Sequence, residues 1–148
     1  MTTKRKWIVW SVLAVLVVGV GFVGWGIATV PRVLRDLYGQ WVTAELVINY
    51  HKDHLRLPKN WQELETVYGD GKGLHHGGMT FPQIRECMVV DFGRLAELQA
   101  LAGSTSSVVT LPEIIHTKSG TESHWAGAEP NQMVYGYLQG SIQKRGGG

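Results

Sequence analysis

His51 and His54 lie three residues apart, with Asp53 between them, in the stretch INYHKDHLRLPKNWQEL (residues 48–64). Imidazole nitrogens and carboxylate oxygens bind zinc, so this stretch could supply half of a metal site. Such a site needs a third ligand, and the sequence does not indicate one. The same residues also fit the end of a helix, because Leu57 precedes Pro58 and a residue before proline avoids helical backbone angles. We therefore expect packing roles for both histidines, with metal binding as the alternative.

A second, short helix is predicted directly after this stop. Asn60 can cap it, with Glu63 three residues later as its partner in a capping box. Gly69 can end it. The inward face of this helix is predicted to consist of Trp61, Leu64 and Tyr68. The stretch is thus interpreted as the end of one helix, a turn and the start of another.

Cys87 is the only cysteine in the chain, so no internal disulfide can form. Its apolar sequence neighbours favour a buried, inert thiol over a nucleophile. The glycine-rich stretch GDGKGLHHGG (residues 69–78) lacks the Gly-Lys-Ser/Thr ending of a phosphate-binding loop. It is predicted to be a surface loop with solvated His75 and His76, and calcium binding at Asp70 is the alternative.

A long loop is predicted over residues 119–132, where it carries His124 and Trp125. Trp125 is expected to fold back onto a sheet edge, and contact with a partner or a sugar is the alternative. The chain contains no Gly-x-Ser-x-Gly, His-Glu-x-x-His, Cys-x-x-Cys or Gly-x-Gly-x-x-Gly motif. We therefore expect a protein that is not an enzyme, with no catalytic residue, no cofactor and no bound metal.

Residues 7–30 carry no charged side chain and would form a helix of about 36 Å. A hydrocarbon core is about 30 Å thick, so this run predicts a single transmembrane helix. It is too long for the apolar part of a signal peptide, and soluble cores rarely need such a run. Lys4, Arg5 and Lys6 precede the run, whereas Arg32 and Arg35 follow it. This difference favours a cytoplasmic N-terminus and a C-terminal domain in the periplasm or outside the cell.

A helix–helix contact is predicted on one face of the apolar run. Gly21, Gly24 and Ala28 are small residues at helical spacing, and small residues let two helix backbones approach closely in lipid. The expected partners are membrane lipid, another copy of the chain or a related subunit. Without the three N-terminal cations, 11 basic and 12 acidic residues remain, so the charge does not predict nucleic-acid binding.

The predicted fold class is α+β. Pro31 should kink or restart the helix, which would then continue as a rod to about residue 54, with one apolar stripe packed on a small, mostly antiparallel sheet. Strands are predicted within residues 84–92, 108–118 and 133–139, and a helix within residues 94–103. The stripe consists of Leu34, Leu37, Trp41, Ala44, Ile48, His51 and Leu55. The opposite, solvated face consists of Glu45, Asn49, Lys52 and Arg56.

This pattern resembles the type IV pilin and type II secretion pseudopilin family. The resemblance rests on the basic leader at residues 4–6, the apolar span, Pro31, and the stretch Tyr50–Leu64 with Asp53 and Pro58 at matching places. The family's peptidase-site glycine and early glutamate are not matched, because Lys6 runs directly into Trp7 and the first acidic residue is Asp36. The resemblance implies a pilin-like subunit of a secretion or pilus-like assembly.

The predicted organisation is a basic tail (1–6), a transmembrane helix (7–30), a pilin-like extracytoplasmic domain (31–142) and a flexible tail (143–148). The expected function is that of a non-enzymatic, single-pass, membrane-anchored pilin-like or accessory envelope subunit. A membrane-anchored binding module for a ligand or metal ion is the alternative, and a small hydrolase is a third possibility.

Overall fold

The computed structural model describes residues 3–69, 78–104, 110–120 and 129–146, without the side chains of residues 3–14, 21–31 and 146. The chain divides into two compact units, Met1–Leu34 (unit 1) and Arg35–Gly148 (unit 2). Along the chain the elements are α1 (Thr3–His54), α2 (Trp61–Gly69), α3 (Phe81–Cys87), β1 (Met88–Val90), α4 (Leu95–Ala102), β2 (Ile115–Thr117) and α5 (Pro130–Gly146).

The predicted fold class is wrong, because the described residues are mostly helical and their sheet has only two short strands, β1 and β2, paired antiparallel. The prediction of a transmembrane helix is also wrong: in the part of the chain that the structure describes, no helix combines the length and apolarity needed to cross a membrane. The prediction of a membrane-spanning, pilin-like protein is therefore wrong as well, because the described residues form a small, mainly helical fold with a minor sheet. α1 continues through residue 31, so the helix does not restart there, and the kink expected at Pro31 stays a prediction.

The predicted strand over residues 84–92 is only partly correct, since α3 occupies its first half and β1 follows. The backbone N–H of Thr80 donates to Gln83 Oε1 at 2.8 Å, which supports the first turn of α3. Pro82 also suits that turn. Phe81, Ile84 and Cys87 are buried at helical spacing. These local signals outweigh the alternation of apolar residues that suggested a strand.

The predicted strand over residues 133–139 is wrong, because these residues belong to α5. The Glu129 carboxylate accepts hydrogen bonds from the backbone N–H groups of Asn131 (3.1 Å) and Gln132 (3.2 Å). Such a carboxylate satisfies N–H groups that a helix leaves free at its N-terminus. Val134 and Leu138 are buried one turn apart, so the apolar face of the segment has helical periodicity.

The buried face of α1 differs from the predicted stripe. Val42, Leu46 and Tyr50 are at most 1% exposed, yet none of them belongs to the stripe. Of the stripe, only Ala44 and His51 are buried, and Leu34 and Leu55 are exposed. Leu55 directly follows α1 with a left-handed backbone (φ 57°), and its N–H donates to the carbonyl oxygen of His51. The real face was missed because it also contains polar or small residues, namely Asp36, Gly39, Gln40 and Thr43.

Two predicted helices are confirmed, α2 and α4. Leu64 and Val67 are the buried residues of α2, and Leu95, Leu98 and Ala102 are those of α4. α4 packs against α5, while α2 packs against α3. The aromatic rings of Trp61 and Phe81 meet edge to face at 6.0 Å in the second of these contacts.

Asn131 joins β2 to the start of α5. Its side chain is 3% exposed, and Oδ1 accepts hydrogen bonds from the N–H groups of Ile114 (3.0 Å) and Ile115 (2.9 Å). Its amide nitrogen also donates to the carbonyl oxygen of Ile115 at 3.2 Å. One buried side chain thus satisfies three backbone groups at the edge of β2 that does not pair with β1.

Gly39 lies where α1 approaches the junction of α3 and β1. A Cβ atom at this position would lie 3.0 Å from Cys87 Sγ and 3.0 Å from Met88 Cε, whereas one at Gly136 in α5 would meet no atom within 4 Å. We expect Gly136→Ala to raise the free energy of unfolding by about 0.5–1 kcal/mol through helix propensity. Gly39→Ala should lower it by about 1 kcal/mol, because overpacking outweighs that gain. Urea denaturation followed by circular dichroism measures both, and equal stabilisation would contradict the tight contact.

Replacing Asn131 should be among the most damaging single changes in unit 2. Asn131→Ala leaves two buried backbone N–H groups without an acceptor, so we expect it to lower the free energy of unfolding by about 3 kcal/mol. Gln132→Ala, at an exposed neighbouring position, should change it by less than about 0.5 kcal/mol. A loss of similar size in both variants, measured by the same denaturation, would show that the Asn131 side chain does not hold β2.

Candidate functional site

The two histidines at the end of α1 face different surroundings. His51 is 2% exposed, and its Nδ1 lies 3.2 Å from the hydroxyl oxygen of Tyr137 in α5. The two rings meet edge to face, with centroids 5.5 Å apart. His54 is exposed and stacks on the ring of Tyr50 at 4.2 Å, with its Nδ1 3.1 Å from the carbonyl oxygen of Tyr50. The two histidines therefore differ both in burial and in the residue that each contacts.

This geometry gives His51 a packing role, as expected from the sequence. Its ring nitrogen is engaged by a phenol of its own chain, and its burial leaves almost no surface for an incoming ligand. Within the described residues, no three side chains of histidine, cysteine, aspartate or glutamate lie together so that they could hold a metal ion.

Arg56 and Glu63 form a bidentate ion pair beside Tyr50. The two terminal guanidinium nitrogens of Arg56 each donate to one carboxylate oxygen of Glu63, both at 3.0 Å. The same carboxylate accepts from the backbone N–H of Lys59 at 2.8 Å, while the N–H of Glu63 donates to Asn60 Oδ1 at 3.0 Å. The predicted Asn60 cap is therefore present, but Glu63 accepts from Lys59 rather than from the cap residue. The Arg56 guanidinium and the Lys59 N–H lower the pKa of Glu63 to about 2.

Two cationic side chains, Lys52 and Arg145, act on the contact between His51 and Tyr137. Lys52 Nζ lies 5.6 Å from the centroid of the Tyr137 ring. Burial lowers the pKa of His51, and the charge of Arg145 near the end of α5 lowers it further. Burial raises the pKa of Tyr137, although Arg145 acts in the opposite sense. Neutral imidazole and neutral phenol are thus the favoured forms at this contact.

A buried carboxylate near the start of unit 2 was not identified from the sequence as a site residue. Asp36 is 2% exposed, and its Oδ2 accepts a hydrogen bond from Ser119 Oγ at 2.6 Å. Arg35 Nε lies 3.9 Å from the other carboxylate oxygen, and Ser119 Oγ lies 3.2 Å from Thr117 Oγ1. The group joins the turn after β2 to α1. The only signal in the sequence was the first acidic residue of the chain, in a segment with helical periodicity.

Cys87 is buried, as predicted from its apolar sequence neighbours. Its thiol donates to the carbonyl oxygen of Ile84 at 3.4 Å. Burial raises the pKa of this thiol, which disfavours the nucleophilic thiolate. His116 lies in β2 opposite Val89.

Several predicted site residues lie outside the described residues. They are Asp70, His75 and His76 of the glycine-rich stretch and His124 and Trp125 of the 119–132 loop. Gly21, Gly24 and Ala28 lie in α1, but the structure describes only their backbone and not their surroundings. The predictions made for them therefore stay predictions.

Unit 1 exposes an apolar surface. Five side chains between residues 15 and 20 are each 60–72% exposed, namely Val15, Leu16, Val17, Val18 and Val20. Consecutive residues of a helix are about 100° apart, so this surface extends around the helix and is not a single stripe. An apolar surface of this kind is typical of an interaction site.

The ion pair of Arg56 and Glu63 predicts a specific acid sensitivity. The pKa of Glu63 is about 2 against an ordinary 4.5, so the pair stabilises the fold above about pH 4.5, and this contribution is lost as the pH falls towards 2. In Arg56→Gln the pKa of Glu63 should rise towards 4.5, as measured by NMR titration of its carboxyl carbon. Arg94→Gln, which removes a different exposed arginine, should leave it unchanged. An unchanged Glu63 pKa in Arg56→Gln would show that Arg56 does not set it.

Comparison of the chain with protein-family models, with curated proteins and with solved structures gave no match.

Proposed function

We propose that the chain is a non-enzymatic subunit that assembles with other copies of itself through the apolar helix of unit 1. The observation that carries the proposal is the exposure of 60–72% at each of the apolar residues Val15–Val18 and at Val20. Removing apolar surface from water is worth roughly 25 cal/mol per Å², so such residues favour any arrangement that covers them. Unit 2, by contrast, has a hydrophobic core of its own.

A second copy of the chain fits this surface in charge and in length. Residues 7–30 carry no charged side chain in the sequence, so a partner segment without charges is favoured along this run. A second copy brings the same uncharged run, about 36 Å long as a helix. Because the exposed residues lie on all sides of the helix, more than one neighbouring helix is needed to cover them.

Three reactive or titratable groups of unit 2 are occupied within the fold, which supports a non-enzymatic role. His51 packs against Tyr137, Asp36 accepts the hydroxyl of Ser119, and the Cys87 thiol is buried with a raised pKa. Each of these groups binds another part of the same chain. Their arrangement supplies contacts within the fold rather than an accessible nucleophile next to a base.

The proposal predicts that a charge in the apolar surface will prevent assembly. Two differently tagged copies of the full chain, produced together, should co-purify and give a crosslinked dimer or larger species. Val17→Lys places an ammonium group where a neighbouring helix would pack, so we expect loss of both co-purification and crosslinking. Val17→Leu keeps the surface apolar and should behave like the unaltered chain.

Two results would contradict self-assembly. The first is failure of the tagged copies to co-purify, and the second is a crosslinked species that persists in Val17→Lys. Flotation of the chain with phosphatidylcholine vesicles, in the absence of crosslinked copies, would assign the apolar surface to lipid instead. Circular dichroism of both variants should show unchanged helix content, which separates loss of assembly from loss of folding.

A further inference from the structure

The contact between α1 and α5 contains a buried histidine among cations. His51 is 2% exposed, and the hydroxyl of Tyr137 lies 3.2 Å from its Nδ1. A neutral imidazole suits this position, because one ring nitrogen can share a hydrogen bond with the phenol. A protonated imidazole would be a buried cation whose Nδ1 faces only an uncharged hydroxyl oxygen, and burying a poorly compensated charge is costly.

The charged and titratable groups around His51 come from both helices that meet there. From α1, Lys52 holds its ammonium 5.6 Å from the centroid of the Tyr137 ring, and His54 lies one turn further on, stacked against Tyr50. From α5, the Tyr137 phenol and the Arg145 guanidinium act on the site. Asp53 is about 200° around α1 from His51, at an exposed position, so its carboxylate is on another face.

Nearby positive charges also disfavour protonation of His51. The positive charge of Arg145 opposes protonation of the imidazole, in addition to the cost of burial. Lys52, which lies over the Tyr137 ring, places a further cation next to the contact. Arg145 and Lys52 are thus two positive charges that act on this contact. A proton on His51 would add a third.

We propose that His51 is a proton-sensitive contact that holds the C-terminal half of α5 against α1 when neutral and releases it when protonated. Release exposes the imidazole to water, where the charged form is solvated. The proposal is independent of assembly through unit 1, because it concerns contacts inside unit 2 alone.

The pH range follows from the direction of the pKa shift. The pKa of His51 in the folded chain is below its ordinary value of about 6.5, so the open form binds a proton more readily than the closed form. The closed form is therefore fully favoured above about pH 6.5 and loses stability as the pH falls from there to the folded-state pKa. One proton taken up on opening changes the opening equilibrium by about tenfold per pH unit over this range.

Native-state hydrogen exchange of the full chain tests this inference. Protection of the amides of residues 137–145, corrected for the intrinsic pH dependence of exchange, should fall by up to about tenfold per pH unit below about pH 6.5. Amides of residues 64–68 in α2 serve as an internal reference and should keep their protection. In His51→Gln the slope for α5 should vanish, whereas His54→Gln, which changes an exposed histidine one turn away, should retain it.

A second variant pair tests the inference if His51→Gln fails to fold. Arg145→Gln removes an exposed cation that opposes protonation, so the folded-state pKa of His51 should move up and the acid-induced loss of protection should become smaller. Lys144→Gln, at the neighbouring exposed position, is the matched control and should leave that loss unchanged. Full acid sensitivity in His51→Gln, an Arg145→Gln effect no larger than that of Lys144→Gln, or an equal slope for α2 and α5 would each overturn the proposal.

Discussion

Burial of the C-terminal half of α1 is the constraint on which unit 2 depends. Between Asp36 and His51 this helix carries aliphatic side chains, a glycine, and several polar groups on one broad buried face. Apolar burial drives the packing, but every polar group enclosed with it loses water and needs a partner. The partners come from segments that follow much later in the chain, since Ser119 reaches Asp36 across 83 positions and Tyr137 reaches His51 across 86. Packing of α1 therefore fixes where the turn after β2 and the helix α5 must lie.

The short sheet is held by side chains because it has little backbone pairing of its own. β1 and β2 pair over only three residues each, and isolated two-stranded sheets are marginally stable at best. Asn131 adds three hydrogen bonds on the other edge of β2, and Glu129 holds the first turn of the helix that carries Asn131. The strand and the helix are thus stabilised together, and the connection explains why a strand-like sequence in residues 133–139 forms a helix here.

Elements with complete local signals could be predicted from the sequence, whereas long-range polar contacts could not. The end of α1 before Pro58, the start of α2 at Asn60 and the helical spacing of Leu95, Leu98 and Ala102 are all local, and the structure agrees with each of them. The buried face of α1 was predicted wrongly because the sequence also contains a more uniformly apolar stripe that ends at His51 and Leu55. The face that is buried includes polar residues, and these find their partners only in the folded chain. Residues 119–132 were predicted as a loop and residues 133–139 as a strand, whereas Glu129 accepts hydrogen bonds from the first turn of α5 in the structure. The packing role of His51 was predicted from the sequence, but its partner Tyr137 could not be inferred from residue spacing.

Two opposing effects act on the histidine at the end of α1, and their sizes decide its state. The negative end of a helix dipole favours a cation in the last turn, typically by about 0.3–1 kcal/mol at exposed positions. Burial of an imidazolium can shift a pKa by several units, each worth about 1.4 kcal/mol, so desolvation outweighs the dipole at a position that is 2% exposed. The pKa of His51 is accordingly lowered rather than raised. Lys52 and His54, which are exposed on either side of Asp53, can complement the dipole instead. The residues of the last turn therefore have different roles according to their exposure. The solvated side chains lie where they can complement the helix dipole, whereas the buried His51 packs in its neutral form against α5.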